Sequence, residues 1–250
     1  MGDPSANLSD PRGRPDRLYF RQLLSGRDFA VGDPIARQMV NFCYLIGDRE
    51  TGEAVIVDPA YAADDLLALL AADGMRLVGM LATHHHPDHV GGTMMGFSLA
   101  GIRDVLVRVQ APVHVNKNEA EYVRRVTEVS SADLVEHDHD DTVDVGAIPI
   151  RLLHTPGHTP GSQCFLVGNR LVAGDTLFLD GCGRTDFPGG SPAEMYDSLQ
   201  RLAALPDNPV VYPGHFYSPP RDSASLAEVT ATNMVYRPRG REQWLQYFGG

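Results

Sequence analysis

The stretch Thr83-His84-His85-His86-Pro87-Asp88-His89-Val90-Gly91-Gly92 packs four imidazoles and a carboxylate into a few residues, the composition of a metal site. His84, His86, Asp88 and His89 cannot all face one ion, because an extended segment sends alternate side chains to opposite faces. His84 and His86 share a parity and point the same way, whereas His85 has the other parity and is expected to face away. Pro87 offers no ladder donor and biases the residue before it away from helix, so the chain is expected to turn there and re-aim Asp88 and His89. Two adjacent metal sites are the expected result.

Elements must deliver these residues. The nearly continuous apolar run Leu77–Thr83 reads as a central strand with the histidines at its carboxyl end. Before it, Gln38–Gly47 reads as a strand, 48–52 as a polar hairpin turn, Ala54–Val57 as a short buried strand and Ala62–Asp73 as an amphipathic helix with Leu66, Leu67, Leu69 and Leu70 on its stripe. After it, 94–109 is expected to be helical and loop-like in turn, and Pro112–Val115 a strand. Asn118 and Glu121 form a candidate capping box for a helix to about Val129, and the acidic run 136–141 is expected to be a solvated loop. Ile148–Leu153, Gln163–Val167, Arg170–Ala173 and Pro209–Tyr212 read as strands. Ser191-Pro192-Ala193-Glu194 opens a helix to about Leu205, and two short helices follow from Ser225 and near Glu242.

Strand, helix and strand in succession predict an α/β fold. His158, Asp175 and His215 each follow a predicted strand in a Gly- and Pro-rich turn, as the first cluster does, and such loops build a site where they converge on one sheet edge. The expected set is His84, His86 and His158 on one side, Asp88, His89 and His215 on the other, with Asp175 bridging through its two oxygens. Nitrogen-rich ligands with few carboxylates suit zinc first and iron second, rather than magnesium or calcium. Two divalent ions about 3.5–4 Å apart can hold a bridging hydroxide that attacks a carbonyl, a hydrolytic apparatus that needs no Ser or Cys nucleophile.

The chain has 250 residues, 43% of them hydrophobic, enough for one domain with a full core; residues 1–16, rich in Pro, Gly and Asp, are expected to be a disordered leader before a domain at 17–250. A net charge of −11 disfavours nucleic acid and anionic membrane as partners. With no apolar span, no signal-peptide core and three scattered cysteines, a cytoplasmic protein with reduced thiols is expected.

The ordered set Thr83-His84-x-His86-x-Asp88-His89, Thr155-Pro156-Gly157-His158-Thr159, Gly174-Asp175-Thr176-Leu177-Phe178 and Pro213-Gly214-His215 resembles the metallo-β-lactamase superfamily from about Tyr19 onward. The resemblance implies an αββα sandwich with a dinuclear site at one edge, the seven residues as ligands, and a carboxylate at 175 where true class B β-lactamases carry cysteine. Within the superfamily the chain looks most like glyoxalase II, a thioester hydrolase. Gly181-Cys182-Gly183-Arg184-Thr185-Asp186-Phe187, together with Gly47-Asp48-Arg49-Glu50 and Glu53-Ala54-Val55, resembles instead the persulfide dioxygenases, which use two histidines and one aspartate for a single iron, matching His84, His158 and Asp175. Gly174–Phe178 and Ser162 read more like the hydrolases. Typical glyoxalase II adds a helical glutathione-binding domain after its last histidine; only a short segment follows His215, so the expected substrate is a small-molecule thioester of another low-molecular-weight thiol. Asp88 is expected to steer the nucleophile and Arg184 to grip a substrate carboxylate, the alternative for Arg184 being a structural tie between loop and sheet.

Structural roles are expected for His85, His114, His137, His139 and His154, with His154 a candidate for supporting the turn that carries His158. Asp58 is expected either to orient a metal-bound histidine or merely to begin a turn. Cys182 either touches a thiol substrate or is a small buried residue.

Overall fold

Strands with apolar residues on both faces need cover on both sides, and two such sheets account for the architecture. The computed structural model describes residues 17–249; the expected leader lies outside the described residues. In chain order the elements are β1 (Leu18–Leu24), α1 (Pro34–Met39), β2 (Phe42–Asp48), β3 (Glu53–Val57), α2 (Ala63–Ala72), β4 (Arg76–Leu81), α3 (Pro87–Val90), β5 (Gly92–Met94), β6 (Phe97–Leu99), α4 (Ile102–Arg108), β7 (Val113–Asn116) and α5 (Ala120–Thr127). The second half adds β8 (Leu134–His137), β9 (Thr142–Val145), β10 (Ile148–His154), β11 (Gln163–Val167), β12 (Arg170–Gly174), α6 (Pro192–Ala203), β13 (Val210–Pro213), β14 (Ala224–Ser225), α7 (Leu226–Thr232) and α8 (Arg241–Phe248).

One sheet has the order β1-β2-β3-β4-β7-β8 and the other β14-β13-β12-β11-β10-β9. The period of two along each strand divides its side chains between two cores. In β2, Phe42, Tyr44 and Ile46 enter the layer between the sheets with Ile150, Leu152, Phe165 and Val172, while Cys43 and Leu45 face the helices. On that outer side Leu66, Leu70, Ile102, Val105 and Val123 of α2, α4 and α5 cover the first sheet; Met195, Leu199, Leu202, Val229 and Trp244 of α6, α7 and α8 cover the second. The fold is the expected αββα sandwich.

Several local expectations differ from the structure. The strand expected over Gln38–Gly47 begins only at Phe42, because Asp33 caps α1 by accepting the N–H groups of Ile35 and Ala36, and Pro34 suits its first turn. At Pro87 the chain does turn as expected, in the helical turn α3, which re-aims Asp88 and His89. Asn118 and Glu121 form no capping box: α5 starts after Glu119, the Asn118 N–H goes to Asn116 Oδ1, and Glu121 pairs with Arg124 and Arg125. The acidic run is partly strand, with Glu136 and His137 in the edge strand β8, where charge discourages further pairing. Residues 92–99 form a hairpin ahead of α4, and β1, β9 and β14 were not anticipated. Among the described residues no helix is long and apolar enough to cross a membrane.

At the end of the sandwich away from the histidines, Asp48 joins the two sheets. Its carboxylate is fully buried and accepts hydrogen bonds from Arg17 Nε and Nη2 (2.9 and 2.7 Å), from the Glu50 N–H in its own hairpin (2.9 Å) and from the Ala147 N–H in the β9–β10 turn (2.8 Å). Arg17 above all holds its pKa well below the ordinary carboxylate range. The Asp48→Asn variant should lose about 1–3 kcal/mol of stability in urea unfolding at pH 7. Because the folded-state pKa is depressed, the wild-type advantage should be complete above about pH 4 and shrink as pH falls toward the folded value; an advantage constant down to pH 2 would contradict this role. Trp244, buried against Tyr196 and Phe248 with its N–H on the Val235 carbonyl, anchors α8, and Trp244→Ala should cost about 3–5 kcal/mol in the same measurement.

Candidate metal centre

The segment after β4 is shaped by Asp58, the residue after β3. Asp58 stands at φ +53°, an uncommon conformation for a side chain other than glycine, and there its carboxylate reaches across to the neighbouring strand end. Oδ1 accepts the Thr83 N–H (2.8 Å), while Oδ2 accepts the Thr83 hydroxyl (2.6 Å) and His89 Nδ1 (2.8 Å). Since Thr83 Oγ1 gives its proton to Asp58, it accepts from His84 Nδ1 at 2.9 Å.

Two more imidazoles are tied in the same way. His158 Nδ1 donates to the Arg184 carbonyl (2.6 Å) and His215 Nδ1 to the Met39 carbonyl (2.8 Å). Carbonyls and carboxylates only accept, so these rings carry their Nδ1 hydrogens outward and turn Nε2 inward. His84 Nε2 and His158 Nε2 lie 3.1 and 3.0 Å from His86 Nδ1, forming the first half of the centre. In the second half, His89 Nε2 and His215 Nε2 are 3.3 Å apart and 3.6 and 3.5 Å from Asp88 Oδ2. Asp175 stands between: Oδ1 is 3.4 Å from His89 Nε2, and Oδ2 is 3.7 Å from His158 Nε2 and 3.4 Å from His215 Nε2. This approach depends on Gly214, where a Cβ would meet Asp175 Oδ1 at 2.2 Å.

The donor set fits cations. Ligand-to-metal bonds of about 2.0–2.2 Å in tetrahedral geometry place ligand atoms roughly 3.3–3.6 Å apart, the spacing seen in the second half. Asp175 Oδ1 is buried with no hydrogen-bond partner, and the trios His84/His86/His158, His84/His89/Asp175 and Asp88/His89/His215 each gather their donor atoms within 4.8 Å.

The field differs between the halves. Burial, reinforced by the neighbouring rings, depresses protonation of His84 strongly and takes His86 to about 3, so both keep their lone pairs. Burial also opposes charge on His89, yet Asp175 and Asp88 outweigh it and raise its pKa to about 10; His215 rises for the same reason. Asp88 and Asp175 stay ionised, since the facing imidazoles outweigh the burial that would raise their pKa values. The carboxylates therefore favour positive charge at the second half, which a metal ion can supply in place of a proton.

Outside the seven, His85 turns to Glu119 and stacks on Tyr122, His114 pairs with His137 at 2.9 Å, His139 Nδ1 accepts the His154 N–H, and His154 Nε2 donates to the Pro160 carbonyl in the turn before β11. The Arg184 guanidinium is paired with Asp186 (2.9 and 2.6 Å) over the Phe187 ring, while its carbonyl holds His158. Cys182 is half-buried beside the outer helices, and burial pushes its thiol up to about 12. Three buried residues went unnoticed in the sequence. Asn41 donates to Asp88 Oδ2 (3.0 Å), Tyr61 donates to Asn41 Oδ1 (2.7 Å), and Glu119 binds two loops. None belongs to a motif, and only the chain reversal that brings β2 beside His215 gives Asn41 its neighbours.

Comparison with known proteins gives the same picture. The chain is 37% identical over 214 residues to a hydroxyacylglutathione hydrolase of Rhodopseudomonas palustris (strain BisA53), covering 79% of this chain and 76% of that one. It is 32% identical over 210 residues to the human mitochondrial persulfide dioxygenase ETHE1, covering 79% and 74%. The crystal structure of ETHE1 from Myxococcus xanthus superposes with a TM-score of 0.74 at 34% identity, covering 93% of this chain and 90% of that one. Residues 36–215, which hold all seven donors, match the metallo-beta-lactamase superfamily, and the chain belongs to that superfamily.

Proposed function

We propose that this protein is a metal-dependent hydrolase that cleaves a thioester of a low-molecular-weight thiol, the glyoxalase II reaction on an S-2-hydroxyacyl substrate, using two divalent ions, zinc first among them. The observation that carries this reading is the finish of the second half of the centre. His89 and His215 each have their own buried acceptor and Asp88 its own donor, which a single ion on His84, His158 and Asp175 does not call for.

Held by the two halves, the ions would polarise the thioester carbonyl and supply the acidity that ionises a water at neutral pH. Asp88, kept ionised and fixed at Oδ2 by Asn41, is the carboxylate placed to orient the attacking water. Phe187 stands edge-on to His86 and His158, and Phe178 edge-on to His215, so apolar walls flank the centre and limit water around the acyl group. The leaving thiol, with a pKa near roughly 8.5, departs as thiolate without a proton from a general acid. Arg184 is the candidate grip for a substrate carboxylate, exchanging Asp186 for it at the rim. The partner is a small molecule, since a net charge of −11 repels phosphate backbones and anionic headgroups. A cytoplasmic location accords with three free cysteines.

The near end-to-end match to the Myxococcus ETHE1 structure favours a second reading, a mononuclear iron persulfide dioxygenase on His84, His158 and Asp175. Metal analysis of the purified protein separates the two. About two equivalents of metal with cleavage of S-lactoyl thioesters is the expected outcome; about one iron with oxygen uptake on a persulfide would establish the alternative. His86→Ala should lower thioester hydrolysis by more than about a hundredfold, beyond what a group behind the ligands contributes. Retention of one iron with undiminished oxygen uptake in that variant would rule the hydrolase out.

A further inference from the structure

His86 is the exception among the inward-facing imidazoles. His84, His89, His158 and His215 each donate their outer N–H to an acceptor, but among the described residues His86 has hydrogen-bond contacts only at Nδ1, the nitrogen that faces the centre. Its ring is set by packing against His158 and Phe187 and by the course of its backbone. That backbone is held after His86 by the His89 and Val90 N–H groups on the His86 carbonyl, and before it, at His85, by a carboxylate from another element. Glu119 occupies the N-cap position of α5 yet makes no side-chain hydrogen bond to its own helix. Its side chain, 1% exposed, is spent on two loops instead. Oε1 accepts both the N–H (2.8 Å) and Nδ1 (2.5 Å) of His85, and Oε2 accepts the Gly161 N–H (2.7 Å). His85 precedes His86, and Gly161 closes the turn that begins at His158. The contact is close enough that a Cβ at position 161 would meet Glu119 N, Cβ and Oε2 at 2.4–2.6 Å.

We propose that Glu119 is a positioning residue that clamps the two loops carrying His86 and His158, and so sets the first half of the metal centre selectively. The inference rests on the dinuclear reading. The carboxylate satisfies three N–H donors of the two loops rather than any of its own helix. Glutamine at this position keeps the shape but must turn an amide N–H toward one loop or the other, opposing a donor with a donor.

The test is a Zn²⁺ titration against a competing chromophoric chelator, on wild type, Glu119→Gln, His86→Ala and the double variant, with thermal unfolding of the metal-stripped proteins as a check on folding. Glu119→Gln should weaken one of two equivalents about 10–100-fold, the range typical of groups that orient ligands. The other equivalent should stay within about twofold, the tolerance for independent sites. In the His86→Ala background, Glu119→Gln should leave the remaining equivalent unchanged. Equal weakening of both equivalents, or of neither, would overturn the clamp. Wild type taking up a single equivalent would instead overturn the dinuclear reading; loss of that equivalent's affinity in Glu119→Gln would then support the clamp and no change would refute it. Should Glu119→Gln fail to fold, Gly161→Ala presses on the same contact and should weaken the same equivalent, and unaltered affinity there would refute the proposal.

Discussion

Four imidazoles in this protein are held with their hydrogens pointing outward, and most of the centre follows from that constraint. Each outer N–H is bound to a group that can only accept or has already given its proton: Asp58, Thr83, the Arg184 carbonyl and the Met39 carbonyl. The inner nitrogens are thereby gathered within about hydrogen-bonding distance of one another and of two ionised carboxylates, which favour positive charge among them. A buried cluster of this kind is satisfied only when protons or a metal ion bring positive charge to it. A cation bound there would replace those protons and join the rings to the carboxylates.

That constraint explains where strain and close contact collect. Asp58 takes a positive φ to serve two ligands from one carboxylate, and Gly214 lets Asp175 sit against the backbone. At the same edge, the Gln163 side chain and backbone N–H groups bind the Ala82 and Thr83 carbonyls, holding one sheet to the other beneath the centre. The opposite end is fastened by Asp48, through Arg17 and the Ala147 N–H. Between the two fastenings the apolar layer needs only shape complementarity, which Phe42, Tyr44, Ile46 and Phe165 supply.

The α/β class and the convergence of the seven donors were legible in the sequence because both rest on short-range rules, whereas the αββα sandwich was expected from the resemblance to the superfamily. Strand alternation separates inward from outward residues, and each donor sits in a Gly- and Pro-rich turn after an apolar run. What escaped notice depended on partners far away in the chain. Asn41 meets Asp88 and Glu119 meets Gly161 only after the sheets pack, and the tie between His215 and the Met39 carbonyl involves a backbone atom that no residue type reveals. Local misreadings had local causes. The strand start expected at Gln38 was displaced because Asp33 and Pro34 open a helix ahead of it, where the missing N–H of proline costs nothing. Glu121 stood at capping-box spacing from Asn118 but found two arginines on its own helix face.

The donors are divided between the sheets: His84, His86, Asp88 and His89 follow a strand of the first, and His158, Asp175 and His215 follow strands of the second. A metal ion bound across them would therefore rivet one half of the chain to the other, and its binding energy would also be energy of assembly. For every tenfold rise in free ion above its dissociation constant, an ion so bound would add about 1.4 kcal/mol to the resistance of the sandwich to coming apart. Durability would in this way be indexed to the ion supply, independently of whether any substrate is turned over.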